Sequence, residues 1–244
     1  AADHNRDADL RSTLLVLLDH FLTNESIKAG LKNSGGEILN TVVVPVCVWR
    51  AGKVASALRK GGVSCLKALL ANRLCTADDL MKELGKGFAD GPLAPILKSC
   101  LDDDDPEIRF ITCGLMQEMF TMVEGRLDDE QVRNNYLELL KRLDDSNDRI
   151  RIEAAKAFAN FLPSMPRGYD SAQYDYVVRG LIVHLDDQNE EVQEGVLPAV
   201  FAAAAVNPSQ FIEIVKECAT KHRTTKYCDQ AIERATQLQR NATL

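Results

Sequence analysis

The sequence predicts an all-α protein, a solenoid built of about five to six antiparallel helix pairs. Three observations predict it: a 42-residue repeat, apolar positions at helical spacing on both sides of each repeat's turn, and a composition able to fill a core. The chain has 244 residues, 45% hydrophobic and 27% charged but only 6% aromatic. That is too apolar for a disordered chain and long enough to bury a substantial interior.

The repeat is read from three segments. Leu101-Asp102-Asp103 precedes Pro106-Glu107-Ile108-Arg109, Leu143-Asp144-Asp145 precedes Asp148-Arg149-Ile150-Arg151, and Leu185-Asp186-Asp187 precedes Glu190-Glu191-Val192-Gln193. Both offsets, 143 − 101 and 185 − 143, are 42. A helical pair of this size cannot cover its own apolar stripe, so neighbouring pairs must stack into a solenoid.

Taken in chain order, helices are expected over 9–22, 26–33, 36–49, 51–71, 77–88, 92–101, 105–124, 129–143, 147–162, 171–185, 189–206, 208–220 and 225–239. The elements before residue 92 are read outward from the repeats. Within 36–49, the run Thr41-Val42-Val43-Val44-Pro45-Val46-Cys47-Val48 has strand propensity. It is assigned to a helix because a lone strand in a helical stack has no partner for its backbone groups. Leu97 and Leu101 mark the apolar side of 92–101, and Ile108, Thr112, Leu115, Met116 and Met119 that of 105–124. Tyr136, Leu139, Leu140 and Leu143 do the same for 129–143, and Ile150, Ala154, Ala157, Phe158 and Phe161 for 147–162. The third copy follows with Val178, Leu181, Ile182 and Leu185, then Val192, Val196, Ala199, Val200 and Ala203. Asp102 or Asp103, ahead of Pro106, suits a helix start, since an Asp side chain accepts from free N–H groups and Pro lacks one. The dense carboxylates Asp102 to Asp105 are expected to be exposed, solvated capping groups.

Chemistry is sparse. The seven cysteines (Cys47, Cys65, Cys75, Cys100, Cys113, Cys218 and Cys228) contain no Cys-x-x-Cys pair and read as reduced core thiols. Cys218, His222 and Cys228 mix ligand types but lack a fourth ligand and paired spacing, so no metal is expected. Neither a P-loop, GxGxxG nor HExxH occurs, and Gly35-Gly36 and Gly61-Gly62 read as a turn and a helix irregularity. The histidines, His4, His20, His184 and His222, lie far apart, and a solenoid joins only neighbouring repeats. No catalytic residue and no cofactor are therefore expected. The sequons beginning at Asn24 and Asn241 matter only in a secreted chain, and residues 1 to 9 lack a signal peptide's pattern. No run of about 18 apolar residues is present, so no membrane partner is expected.

Charge is unevenly placed. Lys plus Arg number 29 against 36 Asp plus Glu, a net charge of −7, which disfavours nucleic acid as a partner. Between Ile38 and Ala77, however, Arg50, Lys53, Arg59, Lys60, Lys67 and Arg73 give +6 with no acidic residue, leaving 23 − 36 = −13 elsewhere. Lys53, Lys60 and Lys67 stand seven apart on one helix face. With Arg50 they form either a solvated face or a docking stripe for an acidic partner. Lys216, Lys221, Arg223 and Lys226 form a smaller cluster, read as complementing a helix C-terminus.

The paired helices, the Leu-Asp-Asp turn and an Arg six residues after the second Asp resemble HEAT repeats. The ordered set Trp49-Arg50-Ala51-Gly52-Lys53, Val63-Ser64-Cys65-Leu66-Lys67-Ala68-Leu69, Leu139-Leu140-Lys141-Arg142-Leu143-Asp144-Asp145, Val183-His184-Leu185-Asp186-Asp187 and Lys221-His222-Arg223 with Tyr227-Cys228 is closer. Over residues 40 to 235 it resembles the C-terminal region of the HEAT-repeat dynein axonemal assembly factors. The resemblance implies an inter-repeat ladder carried by Asp103 with Arg109 and Asp145 with Arg151, weakened at Asp187, where Gln193 replaces the arginine. It also implies a non-catalytic cytoplasmic scaffold for preassembly of dynein arms of cilia or flagella, whose partners are axonemal dynein chains, other assembly factors or co-chaperones. The alternatives are a HEAT scaffold of another pathway, such as a transport adaptor or phosphatase regulatory subunit, and a HEAT-like nucleic-acid enzyme. The chain begins with Ala1, and residues 1–244 are expected to be one solenoid cut from a longer protein.

Overall fold

The computed structural model describes residues 7–85, 91–165 and 171–242. Among them the regular structure is helical throughout, with no strand. The chain is an all-α solenoid, as expected from the sequence. The end of the expected helix 77–88, His4 and the last position of the second sequon lie outside the described residues. Backbone proximity divides the chain into two compact units, Ala1–Val123 and Glu124–Leu244.

The first unit contains α1 (Ala8–Thr23), α2 (Glu25–Leu31), α3 (Gly35–Glu37), α4 (Val44–Cys47), α5 (Lys53–Ala71), α6 (Ala77–Leu84), α7 (Leu93–Leu101) and α8 (Pro106–Met122). Helix α5 is its centre, contacting α1, α4 and α8. It is buried on more than one side because Leu58, Val63, Cys65, Leu66, Leu69 and Leu70 do not fall on a single stripe. The β-branched run is helical, as expected. Pro45 has no N–H to give to the turn behind it, and the backbone widens into a π turn over Ile38–Val43 just before it.

Both glycine pairs differ from the sequence reading. Gly35 and Gly36 lie inside a helical stretch rather than in a turn, and Gly61 and Gly62 lie within unbroken α5. Their function is close packing. A Cβ on Gly62 would come within 2.9 Å of Val46 and 3.0 Å of Cys47, and one on Gly35 would collide with the Leu74 carbonyl.

The second unit contains α9 (Asp129–Leu143), α10 (Asp148–Phe161), α11 (Ser171–Ile182), α12 (Glu190–Val206), α13 (Pro208–Ala219) and α14 (Lys226–Ala242). Three successive hairpins stack in two layers: α10, α12 and α14 contact in one row, and α9, α11 and α13 in the other. Ala154, Ala157, Ala199 and Ala203, all fully buried, let the inner row approach closely. Phe158, Phe161, Tyr174 and Phe211 fill the space between layers, and the Tyr174 hydroxyl donates to the Ala203 carbonyl at 2.7 Å.

Candidate interaction surface

The repeated turns form one device. In each, the second aspartate of Leu-Asp-Asp accepts on Oδ1 from the backbone N–H two residues on: Asp105 to Asp103 at 3.0 Å, Asn147 to Asp145 at 3.1 Å, Asn189 to Asp187 at 2.9 Å. That downstream residue is itself the N-cap, with its side-chain oxygen accepting from Glu107, Arg149 or Glu191 N–H at 2.9 to 3.0 Å. The caps therefore fall on Asp105, Asn147 and Asn189, two residues later than a cap on Asp103 would place them. Asp103 instead folds the turn that presents the cap, because an Asx side chain bonds most easily two residues ahead.

The Oδ2 atoms face arginines. Asp103 accepts from Arg59 Nε at 2.7 Å and pairs with its Nη2 at 2.5 Å, with both side chains almost fully buried. Asp145 pairs with Arg142 at 3.1 Å, and Asp187 pairs with Arg151 of the preceding repeat. Asp103 is thus a buried ion-paired group, not the solvated cap expected. Arg109 and Gln193 occupy equivalent places, donating to the carbonyls of Asp103 at 2.8 Å and Asp187 at 2.5 Å. Arg151 donates to Leu143 carbonyl at 3.1 Å and to Asp148 at 2.9 Å, while Asn189 reaches back to Asp148 at 2.7 Å. Those bonds from Asn189 and Arg151 hold the Asp148 carboxyl below its ordinary pKa.

Arg59 is the residue the sequence reading missed as a turn partner. The arginine-to-aspartate interval is 187 − 151 = 36 between Arg151 and Asp187 but 44 between Arg59 and Asp103. The additional eight-residue helix α6 lies in that longer interval and hides the pairing from a fixed-period template.

The basic block is partly neutralised. Lys60 pairs with Asp105 at 3.2 Å and Arg73 with Glu118 at 3.2 Å, besides the Arg59 pair. At Asp105, burial works to raise the pKa, but the Glu107 N–H and the Lys60 ammonium outweigh it and the net shift is downward. Of the expected stripe, Arg50 and Lys53 are exposed and Lys67 is half-buried. Among the described residues these three have no carboxylate partner. Lys60 belongs to the seam with α8 and does not stand free with them.

The thiols are shielded. Burial pushes Cys65, Cys75 and Cys100 up to about 12 and Cys228 to about 11, so all are protonated near neutrality. Cys228 Sγ lies 3.4 Å from His222 Nδ1, and among the described residues no three His, Cys, Asp or Glu side chains are grouped to hold a metal ion. Two members of the smaller basic cluster are also engaged: Arg223 pairs with Asp186 and Lys226 with Glu190, in each case across to the preceding repeat.

No family model matches the chain. Curated proteins do: one from Xenopus laevis is 29% identical over 238 residues and one from Homo sapiens 27% over 237, covering 93% and 94% of this chain. Both are named Dynein axonemal assembly factor 5. The chain is similar to that assembly factor. It spans 27% of the length of either relative. The resemblance carried by the scattered motifs is thus borne out along nearly the whole chain. Among solved structures, a designed armadillo repeat protein superposes with a TM-score of 0.58 at 17% identity, covering 92% of each chain. An engineered protein gives 0.61 at 15% identity, covering 96% of this chain and 91% of its own. These two show a shared helical-repeat fold. No described helix is long and apolar enough to cross a membrane.

Proposed function

We propose that this chain is a non-catalytic scaffold segment in the cytoplasmic preassembly of axonemal dynein arms for cilia or flagella. Its partners are proteins, namely axonemal dynein chains and other assembly factors or co-chaperones, held without cofactor, nucleic acid or membrane. The observation that carries this reading is similarity over more than nine-tenths of the chain to proteins named as dynein axonemal assembly factors. The fold supports it, since stacked hairpins present rows of side chains on rigid helices, a form suited to holding extended partners.

In this reading Asp103, Arg109, Asp145, Arg151 and Asp187 are structural, fixing one hairpin against the next. Arg50, Lys53 and Lys67 are the part of the basic stripe available to an acidic partner. The test is affinity capture from ciliated-cell cytosol with this chain as bait, followed by crosslinking and mass spectrometry. Recovery of dynein heavy or intermediate chains with assembly factors is expected; a capture containing neither overturns the assignment.

A further inference from the structure

The first unit carries an apolar groove beside Arg50 of the basic stripe. Two adjoining hollows, sharing Arg11 and Val46, run between α1, the 42–48 segment and the start of α5. The floor includes Leu15 and Leu58, and the sides include Leu14, Val42, Val48 and Val54, which remain 53%, 41%, 42% and 43% exposed. Leu10 and Leu17, at 57% and 45% exposure, extend the apolar surface along α1 at helical spacing from Leu14. Aliphatic side chains this open, gathered on one side of a unit, mark an interaction site.

Two cations define the mouth. Arg11 and Arg50 line the same hollow, and among the described residues neither has a carboxylate partner and no Asp or Glu lines either hollow. The backbone at Arg50 is held, because its carbonyl accepts from Arg59 Nη1 at 3.2 Å and Arg59 is itself anchored on Asp103. Among the described residues Lys53 and Lys67 are also without a carboxylate partner, but they line neither hollow; Arg11 and Arg50 are the two cations beside the aliphatic trough. An occupant must bring aliphatic side chains for the trough and a carboxylate for the guanidiniums, which bind carboxylates through a planar fork of donors.

We infer that this groove docks an acidic amphipathic helix of a client protein, its leucine-type face on Leu14, Val42, Val48 and Val54 and a carboxylate clamped by Arg11 and Arg50. The inference rests on the scaffold reading and specifies the partner chemistry of one surface.

The test uses this chain and two labelled synthetic helices sharing a leucine face, one flanked by glutamates and one by lysines, with binding read by fluorescence anisotropy. The glutamate probe is expected to bind and the lysine probe to bind at least about tenfold more weakly. The double variant Arg11→Glu with Arg50→Glu, its fold checked by an unchanged melting temperature, should reverse that preference, and Leu14→Asp should weaken both probes. Equal binding of both probes, or unchanged glutamate-probe binding by the double variant, overturns the inference. So does concentration-dependent dimerisation that excludes the probe, which would assign the groove to a second copy. Probe binding by this chain but not by a longer polypeptide containing it would assign the groove to the protein's own residues, and overturns it too. Dynein capture by wild-type chain alongside a failed probe would sink only the groove. A bound probe with no dynein capture would sink only the dynein assignment.

Discussion

At the scale of single residues, the Arg59–Asp103 pair is a charge pair with both side chains almost fully buried. Arg59 gives Nε and Nη2 to one carboxylate oxygen and Nη1 to the Arg50 carbonyl, while the other carboxylate oxygen takes the Asp105 N–H. Each guanidinium nitrogen and each carboxylate oxygen has a partner, so removing one residue strands the other where it is almost fully buried. Arg59→Met or Asp103→Asn should therefore cost about 3–5 kcal/mol, read as a shift in the urea midpoint at unchanged slope. Losses near 0.5 kcal/mol would show the pair to be solvated. The lysines separate similarly. Lys60→Glu places a carboxylate against Asp105 and should lower the melting temperature, whereas Lys53→Glu combined with Lys67→Glu should leave it within error. Equal melting temperatures for the two variants would mean that Lys60 is as free as its neighbours.

At the scale of elements, the second unit's helices follow the sequence closely because each carries an unambiguous apolar period and a polar stop. Helix α9 coincides with the expected 129–143, and Leu139 on it is fully buried. Leu139→Pro removes a backbone donor and places a ring against the preceding turn, at about 3 kcal/mol or more. Because each hairpin contacts only its neighbours, the damage should spread to α10 and α11. Hydrogen exchange should show protection lost there, and retained protection throughout α9 would mean the helix does not need that bond. The 41–48 segment shows the limit of propensity. Valine favours strands only where a sheet supplies partners, and here Val43, Val44 and Cys47 gain burial against α5 while the helix satisfies the backbone internally.

At the scale of the whole molecule, stability should fall in two stages on acidification. Burial holds His184 below its ordinary imidazole value, against the smaller raising effect of Asp144. The unfolded chain takes up that proton near pH 6.5 while the folded chain does so only at lower pH, so stability declines as pH drops through about 6.5 and levels below the folded value. Asp79, Asp105, Asp148 and Asp186 are held below the usual carboxylate range, so their contribution is present above about pH 4 and is lost as pH falls through their lowered values. Thermal melts from pH 8 to pH 3, about one unit apart, should show both stages, and His184→Gln should remove the upper one alone. A profile flat between pH 7 and 5 in the wild type would rule out the buried neutral imidazole.

The sequence by itself determined the helical class, the repeat and nearly every helix boundary, properties of local period and punctuation that a chain carries whatever it packs against. The resemblance to dynein assembly factors was legible separately, in an ordered set of short motifs. Only the tertiary structure decided which charges meet. Arg59 finds Asp103 across an interval stretched by α6, burying a carboxylate that the sequence reads as solvated, and Lys60 leaves the open stripe for the seam with α8. It likewise decided that Arg11 and Arg50, 39 positions apart in the chain, flank one trough. Ion pairing and pocket formation depend on distances through space, and an irregular insertion changes those distances without altering any local pattern.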